Sequence, residues 1–295
     1  MTGAEKGFLL LSSQLGDPLR RPLTGPQLRN LGRLVRSMQV PEADRELTVE
    51  DLVKLGLDSR FSARVVNLLE EEALLENYLW AAKLADCIPI PRINSFYPAN
   101  LRERLGDDSP GCLWAKGDLS LLHTPCIGLV GSRDLRTANI AFAERVGIQA
   151  ARQGKTLVSG NARGADRIAQ QACLVNGGKV IVVVADALTD KKPGNGELYI
   201  SENSFELPFS AQRALSRNRI IHCLGQYTFV AQCGYREGGT WSGTHKNLQH
   251  NWSPVFCLRD GSPAAELLEQ MGAVLIQPEE LEKMDSLSEW NLSVF

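Results

Sequence analysis

The sequence predicts an α/β fold in which a mainly parallel sheet carries helices on both faces and follows a small all-helical domain. Three observations carry the prediction. From Cys126 onward, short β-branched apolar runs alternate with helix-length segments, and continuous runs of that kind belong to strands buried on both faces. The first two runs, IGLVGS and KTLVSG, end in glycine turns, which in parallel sheets fall at the carboxyl ends of strands, where ligands bind. Residues 1 to about 85 instead repeat apolar positions at helical spacing.

In the helical part, taken as 1–86, LTGPQLRNLGRLVRSM sets Leu28, Leu31, Leu34 and Val35 on one stripe. Thr48 is a candidate N-cap for the next helix, with Asp51 as its capping-box partner. SARVVNLLEEEALLENYLWAAKLADC reads as one long amphipathic helix. Such a unit serves either as a cap on the larger domain or as a docking or DNA-backbone module. Residues 87–125 are expected as a connector packed on the next domain. Pro89, Pro91, Pro98 and Pro110 exclude a continuous helix, and Ile93, Phe96, Tyr97, Leu101 and Trp114 supply apolar anchors. Residues 126–295 form the sheet domain. Its expected strands are IGLVGS, KTLVSG, KVIVVVA, ELYISE, YTFVAQ, PVFCLR and AVLIQP, with helices near 137–153, 164–176, 210–223, 241–250 and 262–271.

The 295 residues have a formal net charge of −2, so any attraction to a polyanion must come from a local patch. A 43% hydrophobic content supports a substantial core. Seven cysteines are scattered without a CxxC pair, which reads as reduced, mostly buried thiols in a cytosolic protein. His222, His245 and His250 have no metal-like spacing. The N-terminal apolar run is too short for a signal peptide, and no run approaches a membrane span. A cytoplasmic location without membrane contact is expected, with no metal and no cofactor.

The candidate binding residues fall in four clusters. Gly131, Ser132 and Arg133 form the first turn; Ser159, Gly160, Arg163 and Gly164 lie in the second, SGNARGAD. Small residues there are expected to bare backbone N–H groups at a helix start, a good setting for phosphate-like anions. Asp166 either caps the helix or fixes the loop. The third cluster is Arg213, Arg217, Asn218 and Arg219 in QRALSRNRII. Arg213 and Arg217 are i,i+4 neighbours on one helix face and Arg219 points elsewhere; the alternative to phosphate binding is a solvated basic face. The fourth is Gly238, Gly239 and Thr240 in the loop YREGGTWSGTHKN, where Trp241 either stacks on a base or packs. Glu202 is either a lone acid or a loop-fixing group. The turns do not match GxGxxG, which disfavours dinucleotide binding. No Ser-His-Asp, Cys-His or paired-carboxylate arrangement follows from spacing, so the site is expected to bind rather than catalyse.

With these residues in hand, the chain resembles the DNA-processing protein A family (DprA, also called Smf), as a divergent member of the wider superfamily. The resemblance rests on FYPANL, LWAKGDLSLL, IGLVGSR, LVSGNARGAD, KVIVVVA, YISE and SRNRIIHCLG in that order. It implies an extended Rossmann-like fold that binds single-stranded DNA in a basic pocket, forms a homodimer and loads a RecA-type recombinase during DNA uptake or recombination. The family's motifs fall on Gly131, Ser132, Arg133, Ser159, Gly160, Gly164, Arg217 and Arg219. The helices before the sheet correspond to its SAM-like or helix-hairpin-helix-like domain. Departures are Ala165 before Asp166 where the family has isoleucine, Gln170 where it has histidine, and Ala214 where it has an aromatic residue. The superfamily also holds nucleotide sensors and nucleotide phosphoribohydrolases, the enzymatic alternative; EGGTWSGT matches the loop of the latter only in part and lacks its glutamate.

Overall fold

The computed structural model describes residues 1–37, 47–202 and 204–289. Its strands are β1 (Ile88–Pro91), β2 (Cys112–Gly117), β3 (Cys126–Val130), β4 (Thr156–Ser159), β5 (Lys179–Val183), β6 (Glu197–Glu202), β7 (Thr228–Val230), β8 (Val255–Leu258) and β9 (Val274–Ile276). They form one sheet in the order β1-β2-β6-β5-β4-β3-β7-β8-β9. All pairings from β6 to β9 are parallel, while β1 with β2 and β2 with β6 are antiparallel. The chain winds outward from β3 through β4 and β5 to β6, then crosses back to β7 and winds the other way. The two directions meet between β3 and β7, and a doubly wound sheet opens its ligand crevice at that reversal.

The helices beside the parallel strands are α7 (Thr137–Arg152), α8 (Ala165–Val175), α9 (Ala211–Leu224), α10 (Gly238–His250) and α11 (Pro263–Gln270). These and β3 to β9 match the expected elements. Alternation along the buried strands divides the core into two layers. Val180 and Val182 point to the layer holding Phe142, Ala143 and Val146 of α7 and Ala169 of α8. Ile181 and Val183 point to the other, with Ile220 and Ile221 of α9 and Leu268 of α11.

The earlier helices are α1 (Gly3–Ser12), α2 (Gly25–Ser37), α3 (Val49–Lys54), α4 (Ser59–Leu69), α5 (Glu72–Leu84) and α6 (Ala99–Leu105). Thr48 and Asp51 make the expected reciprocal capping box on α3. The single long helix read over 62–87 is instead two, α4 and α5. Buried Arg20 explains the break: it donates to the carbonyl of Leu68 and to the Glu71 carboxylate, and also to the carbonyls of Leu10 and Ser13. Leu23, Leu31, Leu52, Val65 and Leu68 make a small core of their own. Tyr78 of α5 reaches the main core, packing edge-on against Trp114 at 5.3 Å between ring centroids and pairing its hydroxyl with Ser204 at 3.0 Å.

The stretch 87–125 enters the sheet itself. IPIP forms β1, paired with CLWA of β2, and β2 continues along β6. Trp114 is fully buried there, beside Phe205. Proline at 89 and 91 is compatible with a strand because β1 is the sheet's edge.

Behind the crevice lies a buried polar cluster. The Asn247 amide donates to His222 Nδ1 at 3.0 Å and to Ser253 Oγ at 3.2 Å, and Asn247 Oδ1 accepts from Ser253 N–H at 2.9 Å. Burial lowers the His222 pKa to about 3. The unfolded chain takes up a proton near pH 6.5 that the folded chain refuses, so stability is full above that pH and falls as pH drops toward 3, by up to about 1.4 kcal/mol per pH unit. Denaturant unfolding at pH 6.5 and pH 5 should therefore differ by about 2 kcal/mol from this group. His222→Gln should remove that component; an unchanged pH slope in the variant refutes the assignment.

Candidate functional site

The crevice at the β3–β7 reversal is a cavity of about 760 Å³. Gly131, Ser132 and Arg133 line it from the end of β3, Asp166 from α8, Ala214, Arg217 and Asn218 from α9, and Gly238, Gly239 and Thr240 from the start of α10. A second cavity of about 480 Å³ is lined by Gly160, Arg163, Arg167 and Lys191. The two share Arg133, Ala162, Phe209, Ala214 and Arg217 in their walls, so they form one groove. Two of the four clusters seen in the sequence, and part of each of the other two, are thus brought to the same end of the sheet.

The groove is organised around Arg217. The residue is 6% exposed, and its guanidinium donates to the Gly160 carbonyl at 2.9 Å and lies 3.8 Å from the Asp166 carboxylate. Asp166 in turn accepts from the N–H groups of Gly160 and Ala162, both at 3.1 Å. It fixes the loop rather than capping a helix end. A Cβ at Gly160 would lie 1.5 Å from the Arg217 guanidinium, so this position must be glycine for the arginine to pass. Burial raises the Asp166 pKa against the pull of Arg217, and burial likewise lowers that of Arg217; a guanidinium keeps its proton throughout.

This arrangement alters several expectations. Three backbone donors of SGNARGAD are already committed within the fold. The Gly160 and Ala162 N–H groups serve Asp166, and Ala165 N–H bonds the Ser132 carbonyl at 3.2 Å. The first turn does not open a helix directly, since α7 starts only at Thr137, and Ser132 N–H is held by Gln232 at 2.9 Å. Ser159 is fully buried and pairs with Gln170 at 2.5 Å, with the amide standing where the family has histidine. Gly164 takes a φ of 88° and sits against the Arg133 carbonyl. The fourth turn meets the expectation best. The N–H groups of Gly238, Gly239 and Thr240 open α10 into the cavity without a partner among the described residues.

The arginines divide by task. Arg213 and Arg217 share a helix but not a target: Arg213 donates to the carbonyls of Ala185, Leu207 and Pro208 and to Ser201 Oγ, at 2.6–3.0 Å. Arg219 points away from the groove, to the Asp108 carbonyl and to Glu202 at 2.5 Å. Glu202 is therefore a buried structural partner, not a free acid. Asn218 steadies the α10 start through the Gly239 carbonyl at 3.1 Å. Arg163 is exposed and meets Asp134 at 2.7 Å, and Lys191 meets Asp186 at 2.5 Å. Arg133 and Arg167 are exposed and make no hydrogen bond or ion pair among the described residues. Sequence reasoning missed Arg167, Lys191 and Phe209. Arg167 follows Asp166 by one position, which is the signal that was available; Lys191 and Phe209 lie in loops with no periodicity to read.

Trp241 packs against the core layer under α9 and stacks on His245 at 6.1 Å. All seven cysteines are free, and only Cys233 is not fully buried. Among the described residues no group of His, Cys, Asp and Glu is placed to hold a metal, and no helix is long and apolar enough to cross a membrane.

A doubly wound sheet with antiparallel strands at one edge and a ligand crevice at its reversal point defines an extended Rossmann-like fold. The sequence profile described as DNA recombination-mediator protein A matches residues 90–280, and the chain belongs to that family. It is 31% identical over 213 residues to Protein Smf of Escherichia coli, covering 65% of this chain and 55% of that protein. It is 35% identical over 157 residues to DNA processing protein DprA of Streptococcus pneumoniae, covering 50% and 54%. The chain thus spans about half the length of the curated relatives it matches. The crystal structure of DprA from Streptococcus pneumoniae superposes with a TM-score of 0.72 at 24% identity, covering 97% of this chain and 98% of that one. A structure of DNA processing protein A from Helicobacter pylori, described for its single-stranded DNA binding mode, gives 0.56 at 22% identity, covering 71% and 97%. Both likenesses establish the fold.

The Asp166–Arg217 contact predicts a stability effect. Asp166→Ala leaves Arg217 buried without a counter-charge and frees two loop donors, at a cost of about 3–5 kcal/mol. Gly160→Ala should also destabilise, since the guanidinium must leave the Gly160 carbonyl to make room for the added methyl. Chemical denaturation of both variants against Arg163→Ala, whose exposed pair is worth no more than about 1 kcal/mol, checks the ranking.

Proposed function

We propose that this chain binds single-stranded DNA in the groove at the β3–β7 reversal and does not cleave it. The observation that carries the reading is the run of cations beyond one pocket: Arg133, Arg163, Arg167 and Lys191 continue along the second cavity. A nucleotide sensor would need a closed, nucleotide-sized pocket, whereas a strand needs a path for successive phosphates. The free N–H groups at the start of α10 add partial positive charge in the first cavity. A groove of this kind binds through the backbone and tolerates sequence. Duplex is disfavoured because its bases are paired and cannot enter the cavities.

Of the arginines in the sequence motifs, Arg133 is the one placed to meet phosphate freely. Arg163 must exchange Asp134 for it, and Arg217 acts by holding the Gly160 loop in shape. Family membership and the names of the relatives support a role in DNA recombination and processing; we further propose a RecA-type recombinase as partner and a homodimer as the working unit.

Oligo-dT should bind more tightly than duplex of equal length, with affinity falling as salt rises because neutralised phosphates release counterions. Arg133→Ala should weaken oligo-dT binding by about tenfold or more, the worth of one charge-assisted contact, and lower the salt slope by about one. Arg152→Ala, at the far end of α7, is the control. Anisotropy titrations at several salt concentrations measure all of these. Equal affinity for duplex, or an equal loss in the control, refutes the groove; release of free base from a nucleoside monophosphate refutes the non-enzymatic reading.

A further inference from the structure

Phe209 is 58% exposed, an unusual position for a large aromatic side chain, and it stands in the wall shared by both cavities. The two chambers it separates differ in chemistry. The smaller one carries Arg163, Arg167 and Lys191 in addition to the shared Arg133 and Arg217, against one carboxylate, Asp186, which pairs with Lys191. The larger one has an apolar wall of Phe209, Ala211, Ala214 and Leu215, the last 51% exposed, and it faces the carboxylates of Asp134 and Glu237. A phosphate is drawn more strongly to the first set of groups, where cations outnumber carboxylates, than to the second, where the α10 N–H groups stand against Asp134, Asp166 and Glu237. A planar base finds an apolar face in the second and polar groups for its edge.

The backbone that bears the ring is held. Arg213 clamps the loop that bears it, donating to the carbonyls of Leu207 at 2.6 Å and Pro208 at 2.8 Å while anchored on Ala185 and Ser201. Pro208 fixes its own φ immediately before the ring, and Ser210 immediately after it caps α9 by accepting from Arg213 N–H at 3.1 Å. A rigid aromatic face loses little freedom when a base stacks on it.

From this geometry we infer that Phe209 is a base-stacking platform that partitions the groove: an unpaired base enters the larger cavity against the ring, while its flanking phosphates lie in the smaller, cationic one. Arg213 is the positioning residue for the platform. The inference rests on the single-stranded DNA reading above.

The test uses the full chain, oligo-dT, and an oligomer of the same length and charge whose central sugars are abasic. Phe209→Ala should weaken oligo-dT binding roughly five- to 150-fold, the range for one lost base–aromatic stack, without changing the salt slope. The loss should vanish on the abasic oligomer. Phe209→Trp should keep wild-type affinity and show quenched indole fluorescence when oligo-dT is added. Arg213→Ala should reproduce the base-dependent loss in weaker form. If wild type binds oligo-dT and Phe209→Ala binds it equally well, or loses as much on the abasic oligomer, the platform is refuted and the groove stands. If wild type binds no oligonucleotide, the groove reading is refuted and the platform falls with it.

Discussion

The groove depends on one buried charge. Arg217 crosses from α9 to the Gly160 carbonyl beneath the second glycine turn, and Asp166 closes the arrangement by holding that turn's N–H groups. Removing both ions from water is costly, and it is tolerable only because the carbonyl, the carboxylate and the loop amides are all supplied at once. The consequence is geometric. The loop from Ser159 to Gly164 is fixed against α9, and the exposed cations beside it, Arg133, Arg163 and Arg167, acquire a rigid base. An arginine that looks like a ligand-binding group is spent on shaping the site, while less conspicuous neighbours face outward.

The same division runs through the α9 arginines. Arg213, Arg217 and Arg219 lie within two turns of one helix, yet each serves a different element: the loop before α9, the turn after β4, and the end of β6 with the connector. Guanidinium groups suit this because they satisfy several carbonyls in a planar fork. The helix is thereby tied to three parts of the fold in the region where the sheet reverses direction. A surface of net charge near zero then needs only a few unspent cations, gathered at one end of the sheet, to present a local positive path.

Much of the architecture was legible from periodicity. The strands after Cys126 are short, apolar and β-branched because both faces of the sheet are covered, and no other environment asks for that pattern. Their glycine turns lie, as the sequence predicts, at the carboxyl ends of the strands. The strands β1 and β2 escaped notice for physical reasons. IPIP carries two prolines that ordinarily exclude a strand and are tolerated only at an edge, and CLWA has no alternation because it is buried on both sides. The break between α4 and α5 escaped notice because its cause, Arg20, lies about fifty residues away in sequence.

The chain's sequence by itself determined the fold class, the family and the set of residues from which a site is assembled, because burial period and turn chemistry are local properties. Tertiary structure alone decided what each of those residues does. Whether an arginine is free or committed depends on which carbonyls and carboxylates the packed chain brings within reach. Arg133 and Arg217 look alike in sequence, but one ends exposed and unpaired, the other buried against Gly160 and Asp166. Phe209 has no periodic signal at all; its place between a basic chamber and an apolar one exists only once β3, β4, α9 and α10 converge at one end of the sheet.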